Sequence, residues 1–380
     1  MLKIMHVLPT LAKGGAEKVV VDLLNEAHKS GHHVTLLSIY PTDSQQRFNE
    51  LDNTIEVLYV SNVKSIFAPS VVKSIRWIFL NWRLIKKQDI IHAHLTISSV
   101  FVTIIWFISR CTFSKSPKIV ETNHSIGIPI ARWQYKLFSV LSRWRDCYIL
   151  MAQDQYWESL IKSRKKTLLG IIPNGIAMTD KEVTNADKET FLNRCGIFNN
   201  KRLIVGTVSR IVAERSPLKL LDIFTKINQK LPPEEKVIFI WGGEGAMYDF
   251  VKDLISNSEM AEYVYLPGLI IDATIARFVM SLYISINVGA ITGIAGIEAA
   301  SESKPVISLQ MDENYINSPL NWIWSSSDTN AVAEEAVRLL GDTRARLELA
   351  GAQKDFVYQN LRSDIMAKKY SILYESILKK

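Results

Sequence analysis

Short apolar runs alternate with longer amphipathic stretches along nearly the whole chain, and the alternation restarts once, at Leu203. In the first half the runs 3–8, 33–38, 55–60, 90–94, 118–122, 147–151 and 169–172 read as strands. The stretch 16–30 between the first two reads as a helix stopped by Gly31. In the second half 203–208, 237–241, 264–266, 284–287 and 306–309 read as strands, with helices over 218–229 and 246–257, another over 298–302, and an almost wholly helical end from 331 to 380. Strands separated by helix-length segments pair in parallel, with helices on both faces of the sheet. The expected class is α/β, with two Rossmann-like domains facing each other across a cleft. A chain of 380 residues exceeds one ordinary core and suits two such domains. The polar stretch 178–201 reads as the linker between them.

With 48% hydrophobic and 22% charged residues, the composition is that of a folded protein and excludes long disorder. A net charge of +7 is compatible with nucleic acid, a membrane surface or an anionic small substrate. Cys111, Cys147 and Cys195 are isolated, so a zinc site or disulfide framework is not expected, and a reducing cytosol is. The N-terminal run is short and ends at Pro9, Gly14 and Gly15; it reads as a first strand rather than a signal peptide. No apolar run has the roughly 18–20 residues of a membrane span. The longest, 98–109, reads as a buried helix.

The stretch from Thr292 to Leu309 is the most informative about chemistry. It reads as a glycine-bearing loop, a short helix with Glu298 in its first turn, and a strand restarted after Pro305. Backbone N–H groups at such a helix start favour phosphate. A carboxylate beside them suits a neutral hydroxyl donor such as ribose, so the pair points to a nucleotide. Arg210 and Arg215 flank the turn after the first strand of the second half, where two guanidiniums can grip a diphosphate without a metal. The turn Trp241-Gly242-Gly243-Glu244-Gly245 fits the wall of such a site, and equally a plain turn. Gly14-Gly15-Ala16-Glu17, between the first strand and helix, lets backbone approach a ligand or simply turns the chain. It is not the Gly-x-Gly-x-x-Gly fingerprint. His124 follows a strand, where it can bond a sugar hydroxyl or serve structure alone; His92 and His94 end another. No His-x-x-x-His or Asp-x-Asp pair accompanies them, so no metal is expected.

Two basic, aromatic stretches lie in the first half. One, 71–87, holds Arg76, Trp77, Phe79, Trp82, Arg83, Lys86 and Lys87; the other, 132–145, holds Trp133, Tyr135, Lys136, Phe138, Arg143 and Trp144. Such interleaving suits an anionic membrane interface, or ordinary packing helices with solvated charges. No recognisable RNA-binding module is present.

Taken in order, these segments resemble the glycosyltransferase family 4 enzymes, which have the GT-B fold. The resemblance rests on Gly14 to Glu17, His92-Ala93-His94, Thr122-x-His124, Pro173-Asn174-Gly175, Arg210 with Arg215, Gly243-Glu244-Gly245 and the segment from Gly293 to Val306. It implies a retaining transferase that moves a sugar from a UDP- or GDP-sugar to a saccharide acceptor, lipid-linked, in surface-polysaccharide assembly. It implies an acceptor-binding domain over 1–175 with the helix at about 360–380, and a nucleotide-sugar-binding domain over 176–359. Arg210 and Arg215 would clamp the diphosphate, Glu298 would hold the ribose, and Thr292, Gly293 and Ile294 would contact phosphate. His124 would sit beside the transferred sugar, and Gly14 and Gly15 would close over donor and acceptor. The expected co-substrate is a nucleotide sugar with no metal or other cofactor. The expected partners are that donor, a saccharide acceptor and an anionic membrane, not nucleic acid, with a cytoplasmic location on the inner membrane face. Three departures stand out. Ala290 replaces the first Glu of the family's paired-glutamate signature, Arg215 replaces its Lys, and Ser216 replaces the Gly after it. Ala290 motivates the competing expectation of a non-catalytic nucleotide-sugar-binding subunit.

Overall fold

The structure, a computed structural model, describes residues 1–12, 14–41, 45–61, 71–112, 116–124, 131–164, 166–179, 181–270, 272–289, 292–316 and 322–379. Ala290 lies outside them. The chain divides into two compact units, Met1–Ala177 with Leu361–Lys380, and Met178–Asn360.

The first unit is built on a seven-stranded sheet of β1 (Lys3–Leu8), β2 (His33–Ser38), β3 (Glu56–Tyr59), β4 (Ile90–His94), β5 (Lys118–Asn123), β6 (Cys147–Leu150) and β7 (Leu168–Ile171). Their spatial order is β3-β2-β1-β4-β5-β6-β7, and every pairing is parallel. β1 and β4 bury nearly every residue, as strands covered on both faces must. The apolar run expected as a buried helix lies within the helix Leu95–Cys111, which packs Phe101, Val102 and Ile105 into this core. The segment after Pro173-Asn174 returns to the C-terminal chain: Ile176 and Arg362 form a parallel bridge. Gly175 is required there, because a Cβ would stand 2.5 Å from the Arg362 carbonyl oxygen. The C-terminal helix Ser363–Leu378 then packs against the first helix, Gly15–Lys29, burying Tyr370 and Tyr374.

The second unit holds β8 (Ile204–Val208), β9 (Ile238–Gly242), β10 (Val264–Tyr265), β11 (Leu282–Asn287), β12 (Val306–Gln310) and β13 (Trp324–Ser326). The order is β10-β9-β8-β11-β12-β13, again all parallel. In chain order within each unit, both sheets begin with strands three, two, one and then four. Such a sheet reverses between its first and fourth strands, here β1/β4 and β8/β11. Open α/β sheets bind ligands beyond the strand C-termini at that switch point.

Three sequence readings change. The stretch 178–201 is not a bare linker: it contains the helix Asn185–Arg194, started by a reciprocal capping box between Thr184 and Asp187. The Thr-x-x-Asp spacing resembles a capping-box signal, but the helix buries none of its residues and so carries no apolar face in the sequence. The structure also adds the strand β13 and the helix Ala273–Val279. Glu298 is not in the first turn of its helix, which begins at Ile294 with Gly293 as N-cap and has no acidic residue in that turn. The Gly293 carbonyl accepts from both Gly296 and Ile297, starting the helix earlier than the apolar pattern suggested.

Candidate active site

In the second unit the candidate residues gather around the β8/β11 switch point. After β8 the chain passes Arg210 and forms a single tight turn at Ala213–Arg215. Ser216 follows with φ 45° and ψ 58°, and the helix Pro217–Lys230 starts there. That left-handed backbone is the one glycine adopts freely, so the position keeps the family's geometry although its residue is serine. Arg215 Nη1 donates to the Ile286 carbonyl oxygen at 3.1 Å, which ties this loop to the end of β11. Burial, then the neighbouring Arg210 charge, lowers the Arg215 pKa. Neither arginine forms an ion pair with a described carboxylate; the Glu214 charge next to Arg215 offsets part of the Arg210 repulsion, and the two cations stand close together.

The loop after β9 lies backbone to backbone on this arginine loop. Ser209 N–H donates to Gly242, Ile211 N–H to Glu244, and Met247 N–H back to Ile211. A Cβ at Gly243, whose φ is 139°, would stand 2.0 Å from the Ser209 carbonyl oxygen, and one at Gly245 would stand 2.3 Å from that of Ile211. These glycines therefore set the shape of the Arg210 loop.

After β11, Thr292 is buried and Gly293 opens the helix Ile294–Ser301. Space is left around Gly293, where an added Cβ would meet nothing within 4 Å among the described residues. Glu298, in the second turn, is partly exposed and lies 2.9 Å from Arg277 Nη1. Arg277 sends its other edge bidentately to Glu302, with Nε and Nη2 each 2.7 Å from a carboxylate oxygen. Burial lowers the Arg277 pKa, but the two carboxylates outweigh it and raise the group overall. Nη1 makes no hydrogen bond among the described residues despite its closeness to Glu298. The attraction is thus Coulombic, and it holds the carboxylate without filling its lone pairs.

In the first unit the β1/β4 switch point carries a buried polar network. Gly14 is the N-cap of the helix Gly15–Lys29, and the Glu17 carboxylate folds back over it, so a Cβ at Gly14 would collide at 2.0 Å. His6 on β1 lies opposite His92 on β4. His94 ends β4, and the chain leaves it through Leu95 at φ 67°, a left-handed turn costly for leucine. His92 Nδ1 lies 2.6 Å from the Tyr374 hydroxyl and its Nε2 lies 2.8 Å from that of Thr122. His94 lies 2.9 Å from His6 and 3.0 Å from His124. Burial lowers all four: His6 to about 3, His124 to about 4, and His92 and His94 well below the ordinary histidine range. His124, the one with surface open to solvent, is thus a neutral imidazole at pH 7.

His6, His92 and His94 have ring nitrogens within 4.8 Å of one another, close enough for a cation. Both nitrogens of His92 are spent on Tyr374 and Thr122, and His6 and His94 share a proton between them. The donor set therefore fits a hydrogen-bonded network better than a metal centre.

The comparisons follow the same lines. Residues 13–179 match the family model for Glycosyltransferase Family 4. This segment is a Glycosyltransferase Family 4 domain. The enzyme class follows from it: the chain is a glycosyltransferase. Among solved structures it is similar to HepE of Anabaena in complex with UDP and glucose, at 17% identity over 99% of this chain and 100% of that one, with a TM-score of 0.75. A glycosyltransferase from Rickettsia africae matches at 17% identity over 100% and 99% of the two chains, TM-score 0.72. Sucrose-phosphate synthase from Thermosynechococcus elongatus matches at 16% identity over 100% of both, TM-score 0.74. No curated protein matches the sequence. These likenesses identify the GT-B fold of the glycosyltransferase.

Two residues of its site escaped sequence reasoning. His6 is the lone polar side chain between Ile4 and Leu8 of β1, and Arg277 the lone charge in the helix Ala273–Val279. In both cases the signal was an ionisable residue within a mostly apolar stretch.

Proposed function

We propose that this glycosyltransferase is a retaining enzyme that transfers a sugar from a nucleotide sugar, UDP- or GDP-linked, to a saccharide acceptor. The observation that carries this reading is the pair of neighbouring guanidiniums, Arg210 and Arg215, at the β8/β11 switch point, neither in an ion pair with a described carboxylate and Arg215 held on Ile286. Breaking the anomeric bond builds charge on the departing diphosphate, and preorganised cations receive it at little reorganisation cost. The helix start at Gly293 adds N–H groups for a phosphate oxygen, and Glu298 accepts from ribose hydroxyls. HepE, of the same fold, is solved with UDP and glucose, which supports a uridine nucleotide as the first donor to test. The arginines take the place of a divalent ion, so no metal is required. No enzyme nucleophile is needed if the donor phosphate takes the acceptor proton on the face it leaves.

The acceptor in this reading is lipid-linked, in surface-polysaccharide assembly, and the enzyme works on the cytoplasmic membrane face. Among the described residues no helix is long and apolar enough to cross a membrane. What supports peripheral contact is the helix Val71–Leu80. It exposes Val72, Phe79 and Leu80 beside Arg76, with Arg83, Lys86 and Lys87 following. Apolar side chains flanked by cations suit an anionic bilayer. Of the aromatic residues the sequence suggested, Phe79 and Trp133 are exposed, whereas others pack within the protein. Trp77 and Trp82 pack against the core, and Trp144 lies against Phe107. Arg145, at the end of the second basic stretch, is buried in an ion pair with Glu121.

The decisive experiment is a thermal-shift panel of UDP-, GDP-, ADP- and dTDP-sugars on the parent and on Arg210→Ala, followed by product analysis with the donor that binds. A selective shift lost in the variant, with the anomeric configuration kept in the product, is expected. Absence of a shift with every nucleotide overturns the reading.

A further inference from the structure

His6, His94 and His124 form one hydrogen-bonded chain. His124 Nε2 lies 3.0 Å from His94 Nδ1, and His94 Nε2 lies 2.9 Å from His6 Nδ1. His92 does not compete for these atoms, because Tyr374 and Thr122 occupy its two nitrogens.

At pH 7 all three rings are neutral, and a neutral imidazole carries one N–H and one lone pair. His94 must therefore donate to one neighbour and accept from the other, so both bonds point the same way. Running inward, His124 Nε2–H donates to His94, whose Nε2–H donates to His6. Running outward, His6 Nδ1–H donates to His94, whose Nδ1–H donates to His124. The two arrangements differ at the closed end of the chain. His6 Nε2 is buried and without a partner among the described residues. Inward, that atom carries an orphaned N–H; outward, it carries only a lone pair. Buried orphan donors are the rarer of the two, so the outward arrangement is favoured.

We propose that His94, backed by His6, is a positioning residue that holds His124 in its Nδ1–H tautomer, so that a neutral N–H donor faces the transferred sugar. The target of that N–H rests on the transferase reading; the tautomer does not. Such a donor bonds a sugar hydroxyl or ring oxygen without adding charge where the anomeric carbon becomes positive. The inward tautomer would present a bare lone pair instead, losing the donor contact while leaving the ring in place. An analogous tautomer error, with the geometry intact, costs a serine protease about 10⁴-fold in kcat.

The test is nitrogen-15 NMR of the histidine-labelled full chain at pH 7, reading the His124 tautomer from its two-bond couplings. Two substitutions bias it in opposite directions. In His94→Asp the carboxylate can only accept, from His6 on one side and His124 on the other, which forces His124 into the Nε2–H form. In His94→Asn the amide N–H₂ still donates to His124. The expected result is Nδ1–H in the parent and in His94→Asn, and Nε2–H in His94→Asp. With the donor identified by thermal shift, kcat falls at least about 10-fold further in His94→Asp than in His94→Asn, at similar donor KM. An Nε2–H tautomer in the parent overturns the proposal, as does an aspartate variant with an unchanged tautomer. If the tautomers behave as expected but no nucleotide sugar shifts the melting of the parent, the positioning stands and the transferase reading fails. The parent spectrum decides even if His94→Asp does not fold.

Discussion

The Arg277 guanidinium stands 2.9 Å from the Glu298 carboxylate and forms no hydrogen bond with it, while its other edge grips Glu302 bidentately. Glu302 serves as the anchor, and Glu298 is held in position by charge with its lone pairs open. One buried cation thus faces two carboxylates four residues apart in sequence, Glu298 in the helix Ile294–Ser301 and Glu302 at its C-cap.

Removing that cation should show the asymmetry. Arg277→Met leaves the buried Glu302 without a partner and is expected to cost about 3–5 kcal/mol in urea denaturation. Coupling Arg277→Met with Glu302→Gln should recover most of the loss, because the stranded charge is gone. Nucleotide affinity should stay reduced in the double variant, since Glu298 has lost its positioning charge. Full recovery of affinity would refute that role.

The arginine pair predicts a graded loss of turnover. Arg215→Ala removes one preorganised donor and should raise the barrier by roughly 3 kcal/mol, about 10²-fold in kcat. Arg215→Lys keeps the charge but not the fork that reaches Ile286, and should fall between. Turnover unchanged by chelator in both parent and lysine variant would agree with cations in place of a metal; a strict metal requirement would not.

The backbone around this loop yields a test of its own. Ser216 sits at φ 45°, so Ser216→Gly relieves a left-handed serine and is expected to stabilise slightly, by up to about 1 kcal/mol. Gly243→Ala does the reverse. Its Cβ would press on the Ser209 carbonyl, displacing the Arg210 loop and lowering both melting temperature and kcat. An alanine variant with parental kcat would separate the loop's shape from catalysis.

Acid stability follows from the buried histidines. Their folded pKa values are depressed, about 3 for His6 and about 4 for His124, against the ordinary 6.5 of the unfolded chain. Below 6.5 the unfolded chain binds more protons than the folded one, so stability falls as pH falls. This contribution is complete above 6.5 and is lost progressively toward pH 3–4. The slope is about 1.4 kcal/mol per pH unit for each fully buried ring. Urea midpoints measured from pH 7.5 to 5 should show this slope, and His6→Phe should make it shallower.

Membrane contact, if the exposed helix provides it, depends on Phe79 and Leu80 rather than on the tryptophans beside them. Flotation with anionic liposomes should be lost in Phe79→Ser/Leu80→Ser and weakened by salt. Failure of the parent to float sinks the membrane part and leaves the transferase reading untouched.

The α/β class, the paired parallel sheets and the positions of Arg210, Arg215 and Glu298 after strand ends were legible in the sequence alone. Strand and helix periods and glycine-bearing turns are local signals, carried within a few residues of each other. The tertiary structure decided which of these groups meet and which face water. His6 and His94 are 88 positions apart, and His92 and Tyr374 are 282 apart, joined only by strand order and the return of the C-terminal helix. No local pattern encodes such a pairing. Periodicity likewise could not separate the partly buried Trp77, packed on the core, from the exposed Phe79 on one basic helix, because packing against the core, not residue type, set which side is dry.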